Sequence, residues 1–320
     1  MKIIVTGAAG FIGFHLCKRL SEEGFEVKGI DNLNPYYDVT LKDARVKILN
    51  QFENFSFTKL DIAEKDDLEK YFEKENAEYV INLAAQPGVR YSITNPEVSI
   101  RNNVIAFFNL LECCKNYSVK KLIYASSSSV YGNNSKTPSS TEDNVDNPVS
   151  LYAATKKSNE LMAFTYQHLY KFSTIGLRFF TVYGSYGRPD MAYYKFSENI
   201  MRGKPISVYN NGDMERDFTY IDDVIESIFR LIKKEIINEY KIFNIGGEHP
   251  VNLLYFISLL EKQLGKEAIK VFKEMQPGDV KKTYADSSEL AKFINYKPET
   301  PIEEGLKKFI EWFKEYYHYD

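Results

Sequence analysis

Three glycines at a fixed interval, Gly7-Ala-Ala-Gly10-Phe-Ile-Gly13, stand between a short apolar run at 2–6 and a helical pattern at 11–23. A strand that passes through such a turn into a helix leaves few folds open. The turn lets the backbone come close to a ligand, and the helix start offers unpaired N–H groups at a positive dipole end, which together suit a pyrophosphate. About 20 residues on, a second apolar run at 26–31 ends in an acid, Asp31. A carboxylate there accepts from the hydroxyls of an adenosine ribose and repels a 2′-phosphate, so the combination predicts NAD rather than NADP. Without Asp31, the glycines need signify no more than close helix–strand packing.

The alternation that begins at the turn continues. Apolar strand patterns at 56–61, 78–85, 121–126 and 173–180 are separated by helical patterns at 95–115 and 150–170. Strands alternating with helices predict parallel βαβ units, and near-continuous apolar strands predict a sheet covered on both faces. The fold class is therefore α/β, a doubly wound parallel Rossmann-type sheet. Past residue 180 the texture changes: 181–189 is rich in Gly, Tyr and Pro, and 203–217 carries loop signals such as Asn-Asn-Gly. A helical stretch at 222–234 and a strand at 242–245 return to the sheet, and 302–317 is an amphipathic helix. The predicted division is a dinucleotide-binding domain, 1–180 with 217–247, and a smaller, discontinuous α/β substrate domain, 181–216 with 248–320.

Composition excludes several partners. A net charge of −3 over 320 residues gives no electrostatic reason to expect nucleic acid or an anionic membrane surface. No apolar run approaches the ~20 residues that span a bilayer. Cys17, Cys113 and Cys114 cannot build a disulfide framework, and neither they nor the four scattered histidines have metal-ligand spacing. A soluble, cytoplasmic protein without a metal site is expected.

Tyr152-Ala-Ala-Thr-Lys156 places a phenol and an ammonium at i and i+4, neighbours on one helical face. Free tyrosine titrates near ~10, and an adjacent cation favours its phenolate, moving it toward use as a base. The run Ser126-Ser-Ser-Ser129 follows a buried-type strand, so one of these hydroxyls can reach the reacting oxygen. Taken singly, the pair is a common accident among 24 tyrosines and the serines a polar turn. Together with the glycine turn they describe a redox site.

This assembly resembles the extended short-chain dehydrogenase/reductases, in the branch that modifies nucleotide sugars, and most of all the UDP-glucuronate 4-epimerases. The GxxGxxG spacing fits these better than lactate-type dehydrogenases. The matching stretches cover nearly the whole chain: Asp31-Asn-Leu-Asn-Pro-Tyr-Tyr-Asp38, Asn82-Leu-Ala-Ala-Gln86, Gly88-Val-Arg-Tyr-Ser92, Ser150-Leu-Tyr-Ala-Ala-Thr-Lys-Lys157, Leu177-Arg-Phe-Phe-Thr-Val-Tyr-Gly184, Gly187-Arg-Pro-Asp-Met-Ala192 and Arg216-Asp-Phe-Thr-Tyr-Ile-Asp-Asp223. The resemblance implies Tyr152 as base, Lys156 as its activator and ribose anchor, and Ser127, three residues before Val130, as the third catalytic hydroxyl. It implies Asn103 and Phe179 near the nicotinamide, Asp61 and Ile62 beside the adenine, and Phe11, Ile12, Asn32, Leu83, Ala84 and Ala85 in the rest of the cofactor site. It puts Arg216 and Asp279 on the UDP diphosphate and ribose, and Arg188 on the sugar carboxylate with Thr181, Ser128 and Ser129. Arg90 joins the substrate residues. It further implies a homodimer built through the helices at 95–115 and 150–170. Pro87 and Ser185-Tyr186 depart from the family's more usual Ala and Pro-Trp beside the sugar.

The activity so implied is C4 epimerisation of a UDP-sugar, UDP-glucuronate to UDP-galacturonate, through a transient 4-keto sugar, with NAD regenerated in each cycle. Dehydratases and decarboxylases of the same branch carry acids just before the Val-Tyr-Gly, where this chain has Ser128-Ser129. The alternatives are a 4-epimerase of neutral UDP-hexoses or their N-acetyl forms, a UDP-glucuronate decarboxylase, and a non-catalytic NAD-binding sensor or scaffold.

Overall fold

The structure, a computed structural model, describes residues 1–276 and 279–319. Ten strands carry the account that follows: β1 (Lys2–Thr6), β2 (Glu26–Asp31), β3 (Phe55–Lys59), β4 (Tyr79–Asn82), β5 (Lys121–Ser127), β6 (Ser173–Phe179), β7 (Thr181–Tyr183), β8 (Ile206–Tyr209), β9 (Glu215–Tyr220) and β10 (Tyr240–Ile245). Seven of them form one sheet in the order β10-β6-β5-β4-β1-β2-β3, every neighbouring pair parallel. The chain winds outward from β1 to β3 and then restarts at β4 on the other side of β1. Their carboxyl ends open a crevice at that reversal, where doubly wound sheets bind ligands.

Both faces of the sheet are covered, as the unbroken apolar strands require. On β1, Ile3 and Val5 pack into one core with Phe14, Leu16 and Leu20 of helix α1 (Phe11–Glu22), and Ile4 into the opposite core. All seven residues of β6 are buried. Helix α2 (Val39–Leu49) follows β2 and shows little apolar periodicity in the sequence. Helix α3 (Lys65–Glu75) follows β3 and buries Leu68, Tyr71 and Phe72 on one face of a strongly polar segment.

The helix expected over 95–115 is broken. After α4 (Val89–Thr94) come α5 (Pro96–Ile100), one π turn (Arg101–Ile105) and α6 (Ala106–Asn116). Within the π turn, the carbonyl of Asn103 accepts from Asn159 Nδ2 at 2.7 Å, which draws it out of the ordinary ladder. Asn159 belongs to α7 (Leu151–Tyr170), whose start is capped by Ser150 Oγ accepting from the Ala153 N–H at 3.1 Å.

Past residue 180 the structure holds more strand than the loop signals predict. Thr181–Tyr183 pairs in parallel with β9, and β8 pairs with Lys270–Lys273. These are long-range pairings, and the Gly-, Tyr- and Pro-rich local sequence does not announce them. From β9 the chain enters α8 (Ile221–Lys233) and rejoins the large sheet through β10. The amphipathic helix Ile302–Tyr317 buries Leu306, Phe309, Ile310 and Phe313, with Phe309 edge-on to Tyr193 and Phe313 edge-on to Tyr194.

Candidate active site

A cavity of about 600 Å³ lies over the carboxyl ends of β1, β2, β4, β5 and β6. Its floor is the glycine turn. Gly7 has φ +71°, and a Cβ on it would lie 2.7 Å from the Leu83 carbonyl carbon and the Ala84 nitrogen, so only glycine lets the turn rest on the end of β4. A Cβ on Gly13 would overlap the Gly7 carbonyl oxygen. The first helical bond of α1 runs from the Phe14 N–H to the Gly10 carbonyl at 3.0 Å. The N–H groups of Phe11, Ile12 and Gly13 therefore have no helical acceptor and stand at the positive end of α1. Asp31 is buried at the end of β2, where Oδ1 accepts from the Leu33 N–H at 2.8 Å. Asp61 accepts from the Ala63 N–H and from Arg101. Burial pushes its carboxyl upward, but these bonds outweigh that and hold it below the usual range. Free donors at a helix start beside a buried ribose-type carboxylate fit a dinucleotide.

Helix α7 carries the phenol–ammonium pair. Tyr152, Lys156 and Glu160 recur every fourth residue along it. Lys156 Nζ donates to the Ala125 carbonyl at 2.9 Å and lies 5.9 Å from the centre of the Tyr152 ring. Burial pushes Lys156 down to about 8. Burial also raises the Tyr152 phenol above its ordinary value, while the Arg188 charge and the Ser127 hydroxyl pull it back. The strongest cationic influence on the phenol is thus Arg188 rather than Lys156. Ser127 Oγ donates to Ser129 Oγ at 3.1 Å and accepts from the Ser129 N–H. Ser126 turns instead to Glu160, donating to Oε1 at 2.6 Å. Glu160 also accepts two bonds from Arg178 of β6, at 2.9 Å each, and Arg178 donates to Tyr131. This buried network pins α7 to the strands that carry the serines.

Opposite the phenol, Arg188 is gripped along one edge by Asp190, which accepts from Nε at 3.0 Å and from Nη2. Tyr36 OH donates to Asp190 Oδ2 at 3.2 Å. Arg45 of α2 is fully buried. It donates to the carbonyls of Ala9 and Tyr186 at 2.7 Å each and to that of Gly187 at 3.1 Å, so one guanidinium joins the glycine turn to the loop that carries Arg188. At the mouth, Arg90 donates to Asp279 Oδ2 at 2.8 Å.

Most of the residues singled out in the sequence meet in this cavity. Gly7, Gly10, Phe11, Ile12, Gly13, Asp31, Asn32, Asp61, Ile62, Leu83, Ala84, Ala85, Phe179, Tyr152 and Lys156 line one part. Arg90, Ser127, Ser128, Ser129, Thr181, Arg188 and Asp279 line the other. Asn103 stands behind the wall, where it accepts from the Gln86 N–H at 2.7 Å and donates to the Gln86 carbonyl and to Thr155, fixing the turn after β4. Arg216 is not among the lining residues: its Nη1 donates to the carbonyls of Glu215 at 2.9 Å and Lys281 at 3.2 Å, with Asp279 near enough to act on its charge. Tyr36, Lys42, Asp190 and Lys195 also line the cavity; Tyr36 and Asp190 lie within matching stretches, but none of the four carries a role implied by the sequence. The available signal for Asp190 was its place two residues after Arg188.

Comparison with known proteins places this geometry. The model of the NAD dependent epimerase/dehydratase family matches residues 3–246. Protein CapI of Staphylococcus aureus is 52% identical over 99% of each chain, and a probable UDP-glucuronate 4-epimerase of Rhizobium meliloti is 44% identical over 99% of this chain and 98% of its own. The solved UDP-glucuronic acid 4-epimerase of Bacillus cereus, in complex with UDP-glucuronic acid and NAD, superposes with a TM-score of 0.93. It is 37% identical over 99% of this chain and all of its own. By its sequence, its sheet and its glycine turn, the chain belongs to the NAD dependent epimerase/dehydratase family.

Proposed function

We propose that this protein is an NAD-dependent isomerase that inverts C4 of a UDP-sugar, converting UDP-glucuronate and UDP-galacturonate into one another. The observation that carries the reading is the pairing, in one cavity, of the Tyr152 phenol with a guanidinium, Arg188, and the hydroxyls of Ser128, Ser129 and Thr181. A phenol serves many alcohol oxidations. An arginine that shares its cavity with these hydroxyls, with no acid at 128 or 129, suits a carboxylate that must be held and kept.

The bound nicotinamide supplies a reversible hydride acceptor for C4. Tyr152 takes the proton of the 4-hydroxyl and returns it after the keto sugar has turned over. Lys156 holds the nicotinamide ribose, and Ser127 bonds the reacting oxygen. Asp31 takes the adenosine ribose, and the N–H groups of Phe11, Ile12 and Gly13 take the pyrophosphate. Arg188 binds the sugar carboxylate, and Arg90, Arg216 and Asp279 bind the UDP moiety. The substrate region comprises 181–216 and 248–320, and the dinucleotide region 1–180 with 217–247.

The enzyme acts as a cytoplasmic homodimer. Phe108, Leu161 and Phe164 are each 44% exposed or more, on the two helices expected to pair across a twofold axis. Among the described residues no helix is long and apolar enough to cross a membrane.

NMR of the protein with UDP-glucuronate and NAD tests the reading. Galacturonate signals growing to equilibrium support it. A UDP-pentose would make it a decarboxylase, turnover of UDP-glucose alone a neutral-sugar epimerase, and no change with any UDP-sugar a sensor or scaffold.

A further inference from the structure

Arg188 is not a free guanidinium waiting for an anion. Its Nε–Nη2 edge is already taken by Asp190, and Asp190 is held from behind by the Tyr36 hydroxyl. Tyr36 is fixed in turn, edge-on to Tyr91 at 4.9 Å between ring centres, with Gly88 against its hydroxyl. Of the five N–H donors on a guanidinium, two are spent on Asp190; of the other three, one is on Nη2 and two are on Nη1, so the Nη1–Nη2 end is the one left open. An incoming carboxylate can therefore be taken only end-on, in one orientation. Both residues of the pair are about three-quarters buried, with side-chain exposures of 25% and 21%, so water screens the contact poorly.

We propose that Asp190, backed by Tyr36, is the positioning residue that presents a single end of Arg188 to the sugar carboxylate and so keeps the 4-keto uronate from losing CO2. The proposal rests on the uronate reading above. In a 4-keto uronate the carboxylate is β to the ketone. If the C5–carboxylate bond lines up with the carbonyl π system, that bond breaks and its electron pair enters the ketone to leave an enolate. CO2 then departs, a proton taken up at C5 gives a 4-keto pentose, and return to C4 of the hydride taken at oxidation gives the UDP-pentose with no net redox. The only oxidation required is the one epimerisation already performs. An arginine fixed on one edge holds the carboxylate out of that alignment, whereas an unpinned one lets it rotate.

Asp190 has a second effect through charge. Beside burial, which raises it, three groups act on the Tyr152 phenol: Arg188 and the Ser127 hydroxyl favour its ionised form and Asp190 opposes it, while Lys156 lies 5.9 Å from the ring centre. Replacing Asp190 by a neutral residue removes a like charge and favours the phenolate.

The test compares wild type with Asp190→Asn, Asp190→Glu and Tyr36→Phe, each with UDP-glucuronate and NAD. NMR reads the products, and a pH profile of kcat/KM reads the base. Asp190→Asn is expected to raise the UDP-pentose share of product by about tenfold or more, as the loss of a charge-assisted bond implies. It is also expected to move the ascending limb of the pH profile to lower pH. Asp190→Glu keeps the charge but not the reach, so it leaks pentose while the limb stays at its wild-type position. Tyr36→Phe leaks less and leaves the limb in place, and it decides the matter if Asp190→Asn does not fold. Wild-type product ratios in both Asp190→Asn and Tyr36→Phe would overturn the proposal. A wild-type enzyme that ignores UDP-glucuronate and turns over UDP-glucose would instead overturn the uronate reading itself.

Discussion

The ammonium of Lys156 bonds the carbonyl oxygen of Ala125, the residue just before the serines, at 2.9 Å. Its helix partner Tyr152 is near but not its hydrogen-bond acceptor. The lysine thus serves first to fix α7 against the carboxyl end of β5, and it does so as a buried cation.

That burial predicts a pH dependence. Lys156 titrates at about 8 in the folded protein and at 10.5 as the reference value, so between those limits the unfolded chain binds more protons than the folded one. Stability then rises with pH across that window as the cost of the buried charge is relieved. In Lys156→Met the cost is absent at every pH. The Tm advantage of Lys156→Met over wild type, measured without cofactor, is expected to be largest below pH 8 and to shrink above it. An advantage independent of pH would count against a buried charged lysine.

Glu160 and Arg178 are 2% and 4% exposed and share two hydrogen bonds. Glu160→Gln leaves the guanidinium with a weaker partner, and Glu160→Ala leaves it with only the neutral Tyr131 hydroxyl. Loss of one partner of a buried pair costs about 3–5 kcal/mol. Urea unfolding of Glu160→Ala should show a loss of that size, with a smaller one in Glu160→Gln. A change below about 1 kcal/mol in Glu160→Ala would mean that water reaches the pair.

Gly13→Ala puts a methyl group onto the Gly7 carbonyl oxygen, a backbone atom with no rotamer to yield. Overpacking of this kind costs about 1–3 kcal/mol, and here it also opens the pyrophosphate turn. NAD carried through purification, read by absorbance after denaturation, should fall well below that of wild type. Retention at the wild-type level would show that the turn tolerates a wider path.

Leu161 and Phe164 are 57% and 52% exposed on α7. Leu161→Asp and Phe164→Asp are each expected to shift the mass from light scattering from two chains toward one, with little change in far-ultraviolet circular dichroism. A wild-type mass of one chain would remove the dimer from the proposal.

The sheet was legible because its signals are local: the strand at 2–6, the glycine turn and the helix at 302–317 each declare themselves within a few residues. Helix α2 was not, because it buries Lys42 and Arg45 among its apolar residues, and a charged pair breaks the amphipathic pattern. The acceptors that make Arg45 tolerable there include Tyr186, 141 residues away. The π turn was hidden for a similar reason, since it depends on Asn159 reaching Asn103 from another helix. In the site, Tyr152 and Lys156 follow from one helical spacing. Asp190 lay in plain view, but its meaning depends on Tyr36, 154 residues earlier. Pairwise contacts within a turn of helix can be read from a sequence, and those closed by the fold cannot.

The Arg45 joint bears on how a flat ketone can offer both its sides to one hydride source. One rigid, planar cation clasps the floor of the chamber at Ala9 and its far wall at Tyr186 and Gly187. Prising those surfaces apart would strand a charge that has no water to fall back on. Floor and wall therefore keep their spacing while the catalyst cycles, and the freedom for the sugar to roll over has to come from its own linkage to the diphosphate. The pocket behaves as a fixed bearing, and the substrate is the part that turns.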